Sequence, residues 1–153
     1  METFKPYILE PMCGQGHISE VLKSKGYQVR SSDLIDRGYG ECADVFNTAL
    51  IMDCDVISNP PYKKAQDIIK HLLDVSAAGT KIAMFLKLLF LESKARYKLF
   101  KEYPPKTIYV ASGRLICAKN GDFEKYKAAA IAHAWFVWEK GFKGSPTIQW
   151  INT

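Results

Sequence analysis

Apolar and polar positions switch between two periods along the chain, and the switches lay out its elements. "PYILEP" is a short apolar run that reads as a buried strand. In "HISEVLKSKG", Ile18, Val21 and Leu22 recur at helical spacing, and Gly26 stands where a helix stops. "YQVRSS" alternates as a strand and ends at Asp33. A polar, glycine-bearing stretch, "DLIDRGYGECADVF", separates it from a further short strand, "DCDVIS". "KKAQDIIKHLLDVS" sets Ala65, Ile68, Ile69, Leu72 and Leu73 on one helical face. "TKIAMFLKLLF" is too apolar for its period to be diagnostic, and its length and flanks suit a strand running into a loop. "SKARYKLFKEYPP" is a basic helix closed by Pro104 and Pro105. "KTIYVAS" and "HAWFVWEK" are β-rich runs separated by the polar "GRLICAKNGDFEKYK" and by "AAAIA".

Strands alternating with helices predict an α/β, doubly wound fold with a mainly parallel sheet and helices on both faces. The last two β-rich runs are expected to pair antiparallel near one edge. Trp135, Phe136 and Trp138 are expected as core and edge packing. No repeat, low-complexity tract or linker interrupts the sequence, and its 153 residues suit one domain, 1–153.

Composition narrows the classes. Hydrophobic residues at 48% and charged residues at 24% leave no disorder signature. No apolar run approaches the roughly 18 to 20 residues of a membrane span. The opening "METFKPYILEP" lacks the layout of a signal peptide, so a soluble, cytoplasmic protein with no membrane partner is expected. Cys13, Cys42, Cys54 and Cys117 show no paired spacing, and free, mostly buried thiols are expected. His17, His71 and His133 are far apart, so no metal site is assigned. The net charge of +5 is compatible with a polyanionic partner. In "KSKARYKLFKEYPPK", lysines and Arg96 surround Tyr97 and Phe100 as in a nucleic-acid footprint. Helical spacing reads the same two rings as a buried face beneath solvated lysines, and this second reading is the expectation.

"ILEPMCGQGHISEVL" runs from a strand through a turn with Gly14 and Gly16 into a helix. Glycine allows a tight turn and close approach of a ligand to the backbone, and a helix N-terminus favours an anionic group. Asp33 ends the next strand, where a carboxylate accepts hydrogen bonds from ribose hydroxyls. A dinucleotide site prefers G-x-G-x-x-G or -A, whereas Ser19 holds the third position here. Glu10 would repel a pyrophosphate but suits a cationic ligand end. S-adenosylmethionine, with its ammonium and sulfonium, therefore fits better. Asp44, in "ECADVF", is either a loop or cap residue or a contact for an adenine amino group; His17 either approaches the cofactor or serves the helix start.

"DVISNPPYKK" then delivers Asn59 to the carboxyl edge of the sheet. Proline has no N–H and a fixed φ, and the residue before it is held extended. The turn thus offers two rigid acceptors, the Asn59 side-chain oxygen and the Pro60 carbonyl, with the Tyr62 ring beside them. An NH2 group on a planar π-system suits such a site. Accepting both its N–H bonds pulls the nitrogen toward tetrahedral geometry and frees its lone pair for an electrophile.

The series "EPMCGQG", Asp33, "ADVF" and "NPPY" resembles class I S-adenosylmethionine-dependent methyltransferases of the amino type, notably adenine-N6 DNA methyltransferases. "KIAMFLKLLFLE", "PPKTIYVASGRL" and "AWFVWEKGFKGSPTIQWI" are similar to small phage and prophage enzymes of this kind, so the resemblance covers essentially the whole chain. It implies S-adenosylmethionine held by Glu10, Pro11, Met12, Cys13, Gly14, Gly16, Asp33, Asp44, Val45 and Asn59. It implies catalytic roles for Asn59, Pro60, Pro61 and Tyr62, substrate contacts from Tyr62 and Phe123, and a seven-stranded sheet with one antiparallel strand. The implied partner is nucleic acid, DNA before RNA, with the base flipped from the stack. A protein glutamine substrate and an idle methyltransferase-like binding subunit are the alternatives, and a homodimer or partner-assisted form is open. Three departures stand out. Only about six residues precede "YILEP" where the family has a helical segment, the length leaves no room for a target-recognition region, and the aromatic loop facing the base falls to Phe123 or Tyr126 in "NGDFEKYK".

Overall fold

The computed structural model describes residues 2–113 and 131–151. Eight strands form one sheet: β1 Tyr7–Glu10, β2 Gln28–Asp33, β3 Glu41–Cys42, β4 Asp55–Ser58, β5 Lys81–Lys87, β6 Thr107–Ala111, β7 His133–Glu139 and β8 Thr147–Ile151. Their order across the sheet is β3-β2-β1-β4-β5-β7-β6-β8. The order reverses between β1 and β4, which run parallel and leave a crevice at their carboxyl ends. β7 alone runs against its neighbours, pairing antiparallel with both β5 and β6.

Two features correct the expected sheet. Among the described residues it has eight strands, not seven, because β8 adds an edge strand parallel to β6. The antiparallel strand β7 lies third from that edge, inside the sheet. Its burial explains the aromatic run: Phe136 and Trp138 are fully buried, and Trp135 packs on the opposite face.

The helices α1 His17–Ser24, α2 Ala65–Asp74 and α3 Lys94–Glu102 divide between the faces. α2 contributes Ala65, Ile68, Ile69, Leu72 and Leu73 to a core with Val56, Ile82, Met84, Phe90, Phe136 and Trp138, and α3 adds Leu99. Each of the large side chains buried there stabilises by about 1.5–3 kcal/mol, so this face anchors the fold. On the other face, Ile18 and Leu22 of α1 pack with Ile8, Ile57 and Val29. Val21 does not share that face: it is exposed, and the buried residue of α1 is Ser19.

Asp55 is buried at the start of β4, where it accepts hydrogen bonds from the backbone N–H groups of Lys5 and Lys81, each at 2.8 Å. These hydrogen bonds tie the segment before β1 to β5. In α3, Tyr97 is exposed, contrary to the helical-face expectation, while Leu99 and Phe100 turn inward. Of the described cysteines, Cys13 is buried, Cys54 half-buried and Cys42 exposed, all as free thiols. Among the described residues no helix is long and apolar enough to cross a membrane, and no cluster of His, Cys, Asp and Glu has metal-site geometry.

Candidate functional site

A cavity of about 730 Å³ opens at the carboxyl ends of β1, β2 and β4. Its walls are built by four connections. The loop after β1 supplies Glu10, Pro11, Met12, Cys13 and Gly14, the end of β2 supplies Asp33, the loop after β3 supplies Asp44 and Val45, and the turn after β4 supplies Asn59, Pro60 and Pro61. All of these were named from the sequence. Gly16 and Tyr62 were also named and lie off this wall, and Phe123 and Tyr126 fall outside the described residues.

The glycine loop is held by its surroundings. Gly14 adopts φ +55°, and a Cβ built on it would meet nothing within 4 Å, so its face is open to the cavity. Its N–H donates to Asp33 Oδ2 at 2.9 Å, and Ile35 N–H donates to Oδ1 at 3.0 Å. Asp33 therefore locks the loop to the end of β2 and keeps spare lone pairs on both oxygens for a ligand. Gly16 has a different task. At φ +84°, it would place a Cβ 2.5 Å from the Tyr39 ring. Tyr39 lies over the start of α1, donating to Glu20 at 2.5 Å and accepting from Lys23 at 2.8 Å.

Glu10 is buried on the cavity wall, where Ser19 donates to it and Ser19 Oγ lies 2.5 Å from Ser31 Oγ. Burial pushes its carboxyl up to about 7; the Ser19 hydrogen bonds pull the other way, and the Asp33 charge adds to the rise. Asp44 caps the 3-10 turn Val45–Asn47, accepting from Phe46 N–H at 3.0 Å through Oδ1. Its Oδ2 has no hydrogen-bond partner among the described residues, and the residue lines the cavity.

Residues outside the sequence expectation complete the walls. Leu34, Ile35 and Phe46 line the cavity although they are 59%, 55% and 40% exposed. Apolar side chains left open on a concave wall beside two carboxylates suit a planar ring flanked by hydroxyls. Position next to Asp33 and Asp44 was the available signal for them. Arg37, Lys63 and Lys64 also line the cavity, as does His17.

Asn59 and Pro61 are exposed, and Pro60 is buried. Lys64 N–H donates to the Pro61 carbonyl at 3.0 Å, but no backbone donor reaches the Pro60 carbonyl among the described residues. Neither does the Asn59 side chain bond to another described residue. Two acceptors are thus available at the cavity. Tyr62 opens the 3-10 turn Tyr62–Lys64, and its ring meets Phe90 edge-on at 6.4 Å. Lys87 Nζ stands 5.0 Å and the Arg96 guanidinium 5.9 Å from the Tyr62 ring centre. Arg96 also lies 4.6 Å from the Phe90 ring centre and donates to the carbonyls of Phe90, at 2.6 Å, and of Glu92. It pins the 3-10 turn Leu88–Leu91 against Tyr62.

No family model matches the chain, and no curated protein sequence matches it. Solved structures resemble it. A candidate class I S-adenosylmethionine-dependent methyltransferase from Listeria monocytogenes matches with a TM-score of 0.63 at 15% identity, over 95% of this chain and 58% of that one. The M protein of the type I restriction enzyme EcoKI matches with a TM-score of 0.58 at 12% identity, over 96% of this chain and 44% of that one. The 1,6-didemethyltoxoflavin-N1-methyltransferase of Burkholderia thailandensis, with bound 1,6-didemethyltoxoflavin and S-adenosylhomocysteine, matches with a TM-score of 0.55 at 10% identity, over 88% of this chain and 70% of that one. The chain spans less than two thirds of the first two proteins. The likeness establishes the fold, the Rossmann-like sheet of S-adenosylmethionine-dependent methyltransferases.

Proposed function

We propose that the protein is an S-adenosylmethionine-dependent methyltransferase acting on an exocyclic amine, adenine N6 in DNA. One observation carries the reading: Asn59 and Pro60, whose carbonyl no described backbone donor reaches, line the same cavity as Glu10, Gly14, Asp33 and Asp44. Cofactor site and amine acceptors are one continuous space. Among the solved structures that resemble it, the EcoKI M protein is of the adenine-N6 type, and the Burkholderia protein is an N1-methyltransferase.

The residues present fit the cofactor. Asp33 retains lone pairs for ribose hydroxyls, the free Asp44 oxygen suits an adenine amino group, and Leu34, Ile35 and Phe46 suit the adenine faces. Glu10 gives the far end an acidic group for an ammonium. Bound there, S-adenosylmethionine supplies an electrophilic methyl on a positively charged sulfur.

The chain's own part is orientation and electrostatics. Asn59 Oδ1 and the Pro60 carbonyl accept the two N–H bonds of the substrate amine, which turns its lone pair toward the methyl. Pro60 and Pro61 hold these acceptors rigid, because neither can rotate about φ or donate to a neighbour. As the nitrogen acquires the methyl it becomes positive, and both acceptors stabilise that charge more than they stabilise the neutral amine. The extra proton then passes to solvent water, since neither amide oxygen is basic enough to keep it. Tyr62, fixed by Phe90, offers its ring to a flipped base.

The test is transfer of labelled methyl groups to unmethylated DNA, bulk RNA and protein extract in parallel, followed by nucleoside analysis. N6-methyladenine in DNA is the expected product. Label confined to RNA or protein would overturn the substrate, and label in none of the three would overturn the activity.

A further inference from the structure

The exposed side of α3 has no role in the cofactor cavity. Lys94, Tyr97, Lys98 and Lys101 recur at helical spacing and are all exposed, Tyr97 to 61%. None of the three lysines pairs with a carboxylate among the described residues; Lys101 Nζ instead stands 5.5 Å from the Tyr97 ring centre. The one acid of α3, Glu102, is engaged by Lys70 at 3.4 Å. A single-helix face with three unneutralised ammonium groups and an open aromatic ring is poorly explained by stability alone.

Its position gives it a use. α3 begins directly after the Leu88–Leu91 turn, and its Arg96 reaches the rings of both Phe90 and Tyr62. Gln66 at the start of α2 bonds to the Ala95 carbonyl at 3.4 Å, so the foot of α3 adjoins the Asn59–Tyr62 turn. Lys87, Lys63 and Lys64 continue the positive surface to the cavity, and none of them pairs with a carboxylate among the described residues. The foot of the stripe, at Lys94, therefore adjoins the turn after β4, and the lysines run outward from there.

We infer that the Lys94–Tyr97–Lys98–Lys101 face of α3 docks the backbone of duplex DNA beside the extruded base. This rests on the proposed amine-methylating function of the adjoining cavity. Lys94 to Lys101 span seven residues, about 10 Å at roughly 1.5 Å per residue. Laid along the duplex axis, that length covers about three phosphate intervals of one strand, at roughly 3.4 Å each. Tyr97 adds a hydroxyl donor for a phosphate or sugar oxygen.

The experiment compares the wild type with a Lys94→Gln/Lys98→Gln/Lys101→Gln variant and with the corresponding triple Lys→Arg variant. Anisotropy titrations with a duplex DNA of about 20 base pairs and an RNA duplex of equal length are run across a salt series, and calorimetry with S-adenosylmethionine checks the cavity. The glutamine variant is expected to bind the DNA at least tenfold more weakly at about 0.1 M salt. The slope of log affinity against log salt should shrink by about 2 to 3, roughly 0.9 per lost phosphate contact. The arginine variant should keep the wild-type slope, and all three proteins should bind the cofactor alike. An unchanged DNA slope in the glutamine variant would overturn the inference, as would a loss seen only with the RNA duplex. The two proposals fail separately: methyl transfer to DNA that ignores the glutamine substitutions sinks the docking surface and spares the activity. A stripe-dependent slope in a protein that transfers no methyl does the reverse.

Discussion

Replacing Glu10 by Gln isolates the cost of a buried carboxyl. Glu10 is 1% exposed and held at about 7, against an ordinary 4.5, with burial as the main cause. The folded state thus prefers the protonated form. The contribution of this group to stability is complete below pH 4.5 and is lost as pH rises through 7. The gap between 4.5 and about 7, at about 1.4 kcal/mol per unit, makes the ionised group cost about 3 kcal/mol above neutrality. Gln cannot ionise, and its amide oxygen can still accept from Ser19. Urea unfolding of wild type and Glu10→Gln from pH 5 to 8 subtracts every other titrating group. The variant should gain by about 2 to 3 kcal/mol across that range. A difference that stays flat with pH would refute the burial-raised pKa of Glu10.

Other substitutions separate folding from ligand binding. Gly14→Ala should cost about 1 kcal/mol, the strain of a positive φ, yet should abolish S-adenosylmethionine binding in calorimetry, because its Cβ enters the open face of the loop. Gly40→Ala should cost about 3 kcal/mol or more, since it adds overpacking to the same strain: its Cβ would lie 2.7 Å from the Ser31 carbonyl oxygen, which thermal melts would report. Asp44→Asn keeps an oxygen for the cap and replaces the free one by a donor. It should leave the melting temperature nearly unchanged while weakening cofactor binding about tenfold, or roughly 1.4 kcal/mol.

The sequence displays what periodicity encodes and hides what depends on particular partners. The buried faces of α2 and β7 are written in runs of Ile, Leu, Phe and Trp, so they are legible. β3 has only two residues, and β8 is largely exposed, so neither carries a burial pattern to read. In α1 the hydrophobic stripe pointed to Val21, but the buried residue is Ser19, because the Glu10 carboxyl needs a donor there. Polar burial of this kind leaves no trace in hydropathy. The cavity residues were legible through motif order: strand, glycine turn, acid, acid, Asn-Pro-Pro. Gly16 and Tyr62 were drawn into the cavity by the same order. Their positions depend on Tyr39 and on the Phe90–Arg96 pair, which come from distant loops.

The central claim is that Asn59 and Pro60 orient a planar amine toward a methyl donor. Single-turnover transfer from S-adenosylmethionine to adenine in unmethylated duplex DNA, by wild type and Asn59→Ala with cofactor affinity measured for both, tests it most directly. In the proposed mechanism Asn59 forms one of the two preorganised contacts, so its loss should slow transfer by two orders of magnitude or more, about 3 kcal/mol, with the cofactor still bound. An Asn59→Ala protein that transfers methyl groups at the wild-type rate would contradict the account.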